Sequence, residues 1–151
     1  MRAFGSVTFL VFCLALCGLG CGGGGGGDGQ VQDNELPSIS GIETKPSAMI
    51  FSGQTVLVRA RAEDAGTGVK EVKLLVTYPD SQSQTLAMVL KDGGMYEVSF
   101  KAEWNARQVP TNFDEWVVRL EIEAKDGAGN LARQQVRVRA GISAPEPPKD
   151  F

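Results

Sequence analysis

Histidine is absent from all 151 residues, and the three cysteines, Cys13, Cys17 and Cys21, fall within the first 21 positions. Beyond Cys21 the chain has no imidazole, no thiol and no disulfide. These absences exclude Ser-His-Asp and Cys-His catalysis, thiol redox chemistry and the usual zinc and haem sites. What remains for an enzyme is a carboxylate pair poised across a cleft, or a hard metal held by oxygen. A small β domain rarely builds such a cleft, so the expectation is no catalysis and no small-molecule substrate. Clustered basic residues are missing too. The formal charge is −3, from 15 Lys and Arg against 18 Asp and Glu, and this balance disfavours nucleic acid as a partner. No window carries a convincing helical period.

The N-terminus is organised differently from the rest. Met1 and Arg2 give a positive start, residues 3–19 are apolar apart from a few small residues, and Gly18-Leu19-Gly20 leads into Cys21 and six consecutive glycines. This is the three-part layout of an export signal. It resembles a bacterial lipoprotein signal, in which the cysteine at the cut site receives lipid and becomes the first residue of the mature chain. Gly18 stands where that motif usually has Leu. Cys17 has Leu14 at the expected distance but the bulky Leu16 at the cut, so the resemblance assigns lipidation to Cys21. The alternative is an uncleaved anchor, because the apolar run lies near the lower limit of the ~20 residues that span a bilayer. The resemblance implies an exported protein bound to the cell membrane or outer membrane through its lipid. Gly22 after Cys21, rather than an acid, suggests outer-membrane sorting if the source is Gram-negative.

The expected organisation is a signal over 1–20, a lipidated cysteine and flexible tether over 21–36, one domain over 37–141, and a Pro-rich tail over 142–151. About 130 residues remain after the signal, enough for one domain of ordinary size. A Gly-rich tether of about fifteen residues behaves as a random coil spanning roughly 20 Å.

From Pro37 onward apolar residues alternate with period two, which predicts half-buried strands. Seven are expected. The first lies near Ser38 to Glu43, between Pro37 and Pro46. The second turns Val56, Val58, Ala60 and Ala62 inward and Arg59 and Arg61 outward. Val72, Leu74, Val76 and Tyr78 line the third, and Leu86, Met88 and Leu90 are in phase in a fourth from Gln84 to Leu90. Tyr96, Val98 and Phe100 follow in the fifth. The sixth carries Trp116, Val118, Leu120, Ile122 and Ala124 inward, with Arg119, Glu121 and Glu123 outward. Val136 and Val138 point inward in the seventh, whose outward Arg133, Arg137 and Arg139 are expected to face the acids of the sixth. Short strands separated by Gly/Asp/Asn turns argue for a two-sheet antiparallel sandwich.

Two segments carry a resemblance: ARAEDAGTGVKEV at 60–72 and EAKDGAGN at 123–130. They are similar to strand connections of bacterial immunoglobulin-like domains, which often read A-x-D-x-x-G-V-x-x-V and A-x-D-x-A-G-N. The resemblance implies an all-β, seven-stranded Ig-like Greek-key sandwich, related to fibronectin type III-like and cadherin-like modules. It implies no task. No Cys-Trp-Cys pattern is present, which sets the chain apart from antibody-type domains.

Counting strand directions in that topology gathers Asp64, Asp92 and Asp126 at the tether end, with Asp33, Asn34 and Glu35 arriving from the tether. Asp33, Asp64 and Asp126 are the candidate Ca²⁺ ligands, since calcium takes six to eight oxygens, and the stretch from Asp33 to Pro37 is similar to the calcium-binding linker of cadherin repeats. The competing reading is that Asp, Gly and Asn are turn formers. At the opposite end, the long connection over 103–115 carries Trp104, Asn105, Arg107 and Phe113, candidate contacts for an envelope protein or surface glycan. There the competing reading is that the aromatics plug the open end of the core. The function expected is therefore binding or presentation by a lipid-anchored module, with a purely structural spacer, Ca²⁺-stabilised or not, as the alternative. A weak first strand also leaves a sheet edge to which a partner strand could add.

Overall fold

The computed structural model describes residues 33–141. The signal, Cys21, most of the tether and the tail over 142–151 lie outside the described residues. Among the described residues nine strands form two sheets: β1 (Ser38–Lys45), β2 (Met49–Phe51), β3 (Thr55–Glu63), β4 (Val69–Thr77), β5 (Ser83–Ala87), β6 (Val89–Leu90), β7 (Met95–Lys101), β8 (Val117–Asp126) and β9 (Leu131–Gly141). One sheet has the order β1-β3-β7-β6 and the other β2-β9-β8-β4-β5. All pairings are antiparallel except β2 with β9, which is parallel. Among the described residues no helix is long and apolar enough to cross a membrane.

Nine strands replace the seven expected because β2 forms beyond Pro46, outside the first expected strand, and the fourth expected strand divides between the sheets. The chain leaves β1 at Lys45, passes Pro46, and re-enters the other sheet as β2. Proline cannot donate to a ladder and restricts its predecessor, so it ends the pairing there. The expected strand Gln84–Leu90 divides in the same way: β5 pairs with β4, and β6 pairs with β7. At the division Met88 is buried and its backbone N–H donates to the Val72 carbonyl at 2.9 Å. Leu90, expected inward, is 57% exposed.

The alternation elsewhere appears as burial. Val56, Val58 and Ala60 of β3 meet Leu74 and Val76 of β4 and Val118, Leu120 and Ile122 of β8 in one fully buried core. Their outward neighbours face solvent, and a one-residue slip would exchange the two sets, so the register is strongly specified. On the outer face of the second sheet, Arg133 of β9 pairs with Glu123 at 2.9 Å and Glu121 at 3.7 Å on β8. The match fails further along. Arg119 lies directly opposite Arg137, not an acid.

Candidate functional sites at the two ends of the sandwich

The β3–β4 and β8–β9 turns meet the entering chain at one end. Asp64 begins the first turn, and its Oδ2 accepts from the backbone N–H groups of Gly66 (3.2 Å) and Gly68 (2.7 Å). Asp126 ends β8 with its side chain fully buried, Oδ1 accepting from Gly129 (2.6 Å) and Asn130 (2.7 Å). Gly129 has φ +100°, a conformation that glycine adopts without steric cost. Asp33 reaches across to Thr67, whose backbone N–H and hydroxyl donate to Oδ2 at 2.7 and 2.9 Å. Its carboxylate lies on the Cα of Gly66, where any Cβ would collide with it.

One ligand atom from each of Asp33, Asp64 and Asp126 lies within 4.8 Å of the others. All three candidate calcium ligands therefore converge, whereas Asp92 and Glu35 are not part of the carboxylate cluster. The donors around it come mainly from turn backbone, which is what turn formers require. One atom escapes that account: Asp64 Oδ1 is buried and has no hydrogen-bond partner. Asp33 and Asp126 also keep acceptor capacity, since a carboxylate offers about four lone-pair sites. Such an all-oxygen set suits a hard cation of the Ca²⁺ type, with water or carbonyls completing the shell. The hydrogen bond from the Thr67 backbone N–H, followed by that from Glu35, holds the Asp33 carboxyl below its ordinary value.

Two residues at this end escaped the sequence reading. Asn130 Nδ2 contacts the Asp33 carbonyl (2.9 Å), the Glu35 carbonyl (3.0 Å) and Asp126 Oδ2 (2.8 Å), latching the entering chain to the last turn. Thr67 Oγ1 also accepts from the Ala128 backbone N–H at 3.0 Å. Asn130 sits at the end of the quoted A-x-D-x-A-G-N pattern, and that was the available signal.

At the opposite end the four candidate contact residues separate. Trp104 is only 8% exposed, its ring 6.0 Å from that of Tyr78, and so belongs to the core rather than to a contact surface. Its backbone is held by Ser52, whose Oγ accepts from the Trp104 N–H at 3.2 Å. Burial raises the pKa of Tyr78, the residue beneath it. Asn105 is taken up by the loop: its N–H donates to Asp80 Oδ2 (2.8 Å) and its Oδ1 accepts from Arg107 (3.0 Å). Arg107 is exposed. Phe113 is 72% exposed and rests on Trp116 at 4.9 Å between ring centroids, while the Trp116 indole donates to the Pro110 carbonyl at 2.6 Å. The loop is thus stapled by both tryptophans, leaving Phe113 and Arg107 facing solvent.

No protein-family description matches the sequence, and no curated protein matches it. Among solved structures, an engineered protein from the Northeast Structural Genomics Consortium superposes over 70% of this chain with 22% identity and a TM-score of 0.46. This chain spans only 20% of that protein's length. CopC from Methylosinus trichosporium OB3b superposes over 68% of this chain and 93% of its own, with 10% identity and a TM-score of 0.42.

Proposed function

We propose that the chain is a lipid-anchored, non-catalytic Ig-like module of the bacterial cell envelope that presents the end of its sandwich remote from the tether to an envelope protein or surface glycan. The observation that carries this reading is polar. The chain enters at Asp33, latched by Asn130 and Thr67, while exposed Phe113 and Arg107 occupy the other end. The sheet orders support the Ig-like part, because counting each sheet-switching pair as one strand leaves seven in an Ig-compatible arrangement. Acyl chains on Cys21 would each add about 0.8 kcal/mol per buried CH₂, so two or three hold the module durably. Tethering then raises its effective concentration toward neighbours on the same surface.

Expression of the full chain in a bacterium tests the anchor. The expected result is a membrane-fraction protein whose N-terminal peptide begins at an acylated Cys21, and a Cys21→Ala form lacking acylation. A soluble chain, or a membrane-bound one that still begins at Met1, contradicts it.

A second reading, a structural spacer stiffened by Ca²⁺, is favoured by burial of Trp104 and by the unpartnered Asp64 Oδ1 within the carboxylate cluster. It requires a melting temperature that rises with millimolar Ca²⁺ and loses that rise in Asp64→Asn. A melting temperature indifferent to calcium ends the metal part of this reading.

A further inference from the structure

The outer face of the β2-β9-β8-β4-β5 sheet is charge-matched over only half its length. Toward the tether end Arg133 pairs with Glu121 and Glu123, and Lys73 with Glu71 at 2.9 Å. Toward the remote end Arg119 and Arg137 face each other directly across β8 and β9, and Arg139 follows two residues on, opposite Val117. All three are exposed, and among the described residues none forms an ion pair. Like charges directly opposite in a sheet are destabilising. Arg119 and Arg137 also line a hollow of about 340 Å³ with Thr77, Ser81, Asp114 and Glu115. Beside it, Arg139 shares a second hollow of about 280 Å³ with Met49, Phe113 and Trp116. Together the hollows border the last part of β9, one lined by two arginines and two acids and the other mainly apolar.

We propose that this surface binds an acidic, extended polypeptide segment of a partner protein, with carboxylates on alternate residues at the arginines and an apolar side chain against Phe113. Three observations select that occupant. Arginine forks match carboxylates bidentately, and the match supplies the close ion-pair partner that, among the described residues, none of the three arginines has. Residues two apart on one strand face are separated by roughly 6.8 Å, so Arg137 and Arg139 have the spacing of alternate side chains in a second extended chain. Asp114 and Glu115 in the same hollow disfavour a polymer that is negative on every side, whereas an extended peptide carries its acids on one face only. The inference rests on the reading that the remote end meets a partner, and it names that partner's chemistry.

The test is fluorescence anisotropy with the full chain in detergent micelles and three labelled probes: an alternating Glu-Val octapeptide, its Lys-Val counterpart, and heparin. The acidic peptide is expected to bind and to weaken with added salt. Its affinity should fall about tenfold in the double variant Arg119→Gln, Arg137→Gln and stay unchanged in Arg133→Gln, which alters the charge-matched half. Neither probe of wrong chemistry should compete. Because both substitutions relieve repulsion, the variant's melting temperature should not drop, which separates lost binding from lost fold. Undiminished peptide binding by the double variant, tighter binding of heparin, or no binding of the acidic peptide at millimolar concentration overturns the inference. If the peptide fails while Phe113 still contacts a neighbour in the envelope, this inference fails alone and the presentation reading stands.

Discussion

Replacing Asn130 by Ala should cost this domain more than any other single exposed-turn substitution at the tether end. The side-chain amide has only two N–H groups for its three contacts with Asp33 O, Glu35 O and Asp126 Oδ2, so about two bonds' worth of energy is at stake. A hydrogen bond to a charged group contributes about 1.5–3 kcal/mol and one between neutral groups about 0.5–1.5. Asp126 is fully buried, so water cannot readily replace the donor on its Oδ2, although Oδ1 keeps its two backbone partners. The two backbone carbonyls near the surface can be rehydrated at little cost. The expected loss is therefore about 2–4 kcal/mol, or roughly 10–15 °C in melting temperature for a domain of this size. Asn130→Asp should be worse, since it sets a carboxylate against Asp126 and two carbonyls. Urea unfolding gives the free energy, and amide hydrogen exchange over residues 33–37 locates the damage. A change below about 0.5 kcal/mol, or protection of 33–37 equal to the parent, would refute the latch.

Trp104 Nε1 is buried without a partner, so Trp104→Phe removes an unsatisfied donor along with some packing. It should cost well under the roughly 3–5 kcal/mol expected for Trp104→Ala, and equal losses in thermal melts would argue that the indole is hydrogen-bonded. Asp33 has a lowered folded pKa, so its carboxylate stabilises the fold above the ordinary range near ~4 and loses that contribution as pH falls through the lowered value. Melting curves of parent and Asp33→Asn should consequently differ at pH 7 and converge in strong acid, and a gap that stays constant with pH would contradict the assignment. Gly66→Ala forces the Asp33 carboxylate away from the Gly66 Cα. It should reproduce the Asp33→Asn melting profile, and an unchanged profile would show that the carboxylate moves aside freely.

Strand periodicity made the core legible before any coordinates, because inward residues such as Val56, Leu74 and Ile122 repeat every second position and nothing competes with that signal. The sheet switches at Pro46 and Met88 were not legible. Leu86, Met88 and Leu90 keep the same phase through the switch, and period two records which side a residue faces without recording which sheet it joins. The convergence of Asp33, Asp64 and Asp126 followed from counting strand directions in the topology that the family resemblance implied, a count that fixes the end of the sandwich and not which acids there touch, so that Asp92 was gathered with them and is not in the cluster. The role of Asn130 was hidden because its partners are backbone carbonyls, which have no sequence signature. Trp104 and Phe113 read alike as loop aromatics, and only tertiary packing against Tyr78 and Ser52 sends one into the core while the other stays in solvent. The facing arginines 119 and 137 were misread because the outward faces of β8 and β9 were matched as whole faces, whereas the turn over 126–130 sets Arg119, not an acid, opposite Arg137.

The most direct test of tethered presentation places a photoreactive phenylalanine at Phe113 and, separately, at Lys70 near the tether end, in the full chain in its native envelope. The account predicts a discrete cross-linked neighbour from position 113 and none from position 70. Cross-links from position 70 alone, or none from either position, would contradict it.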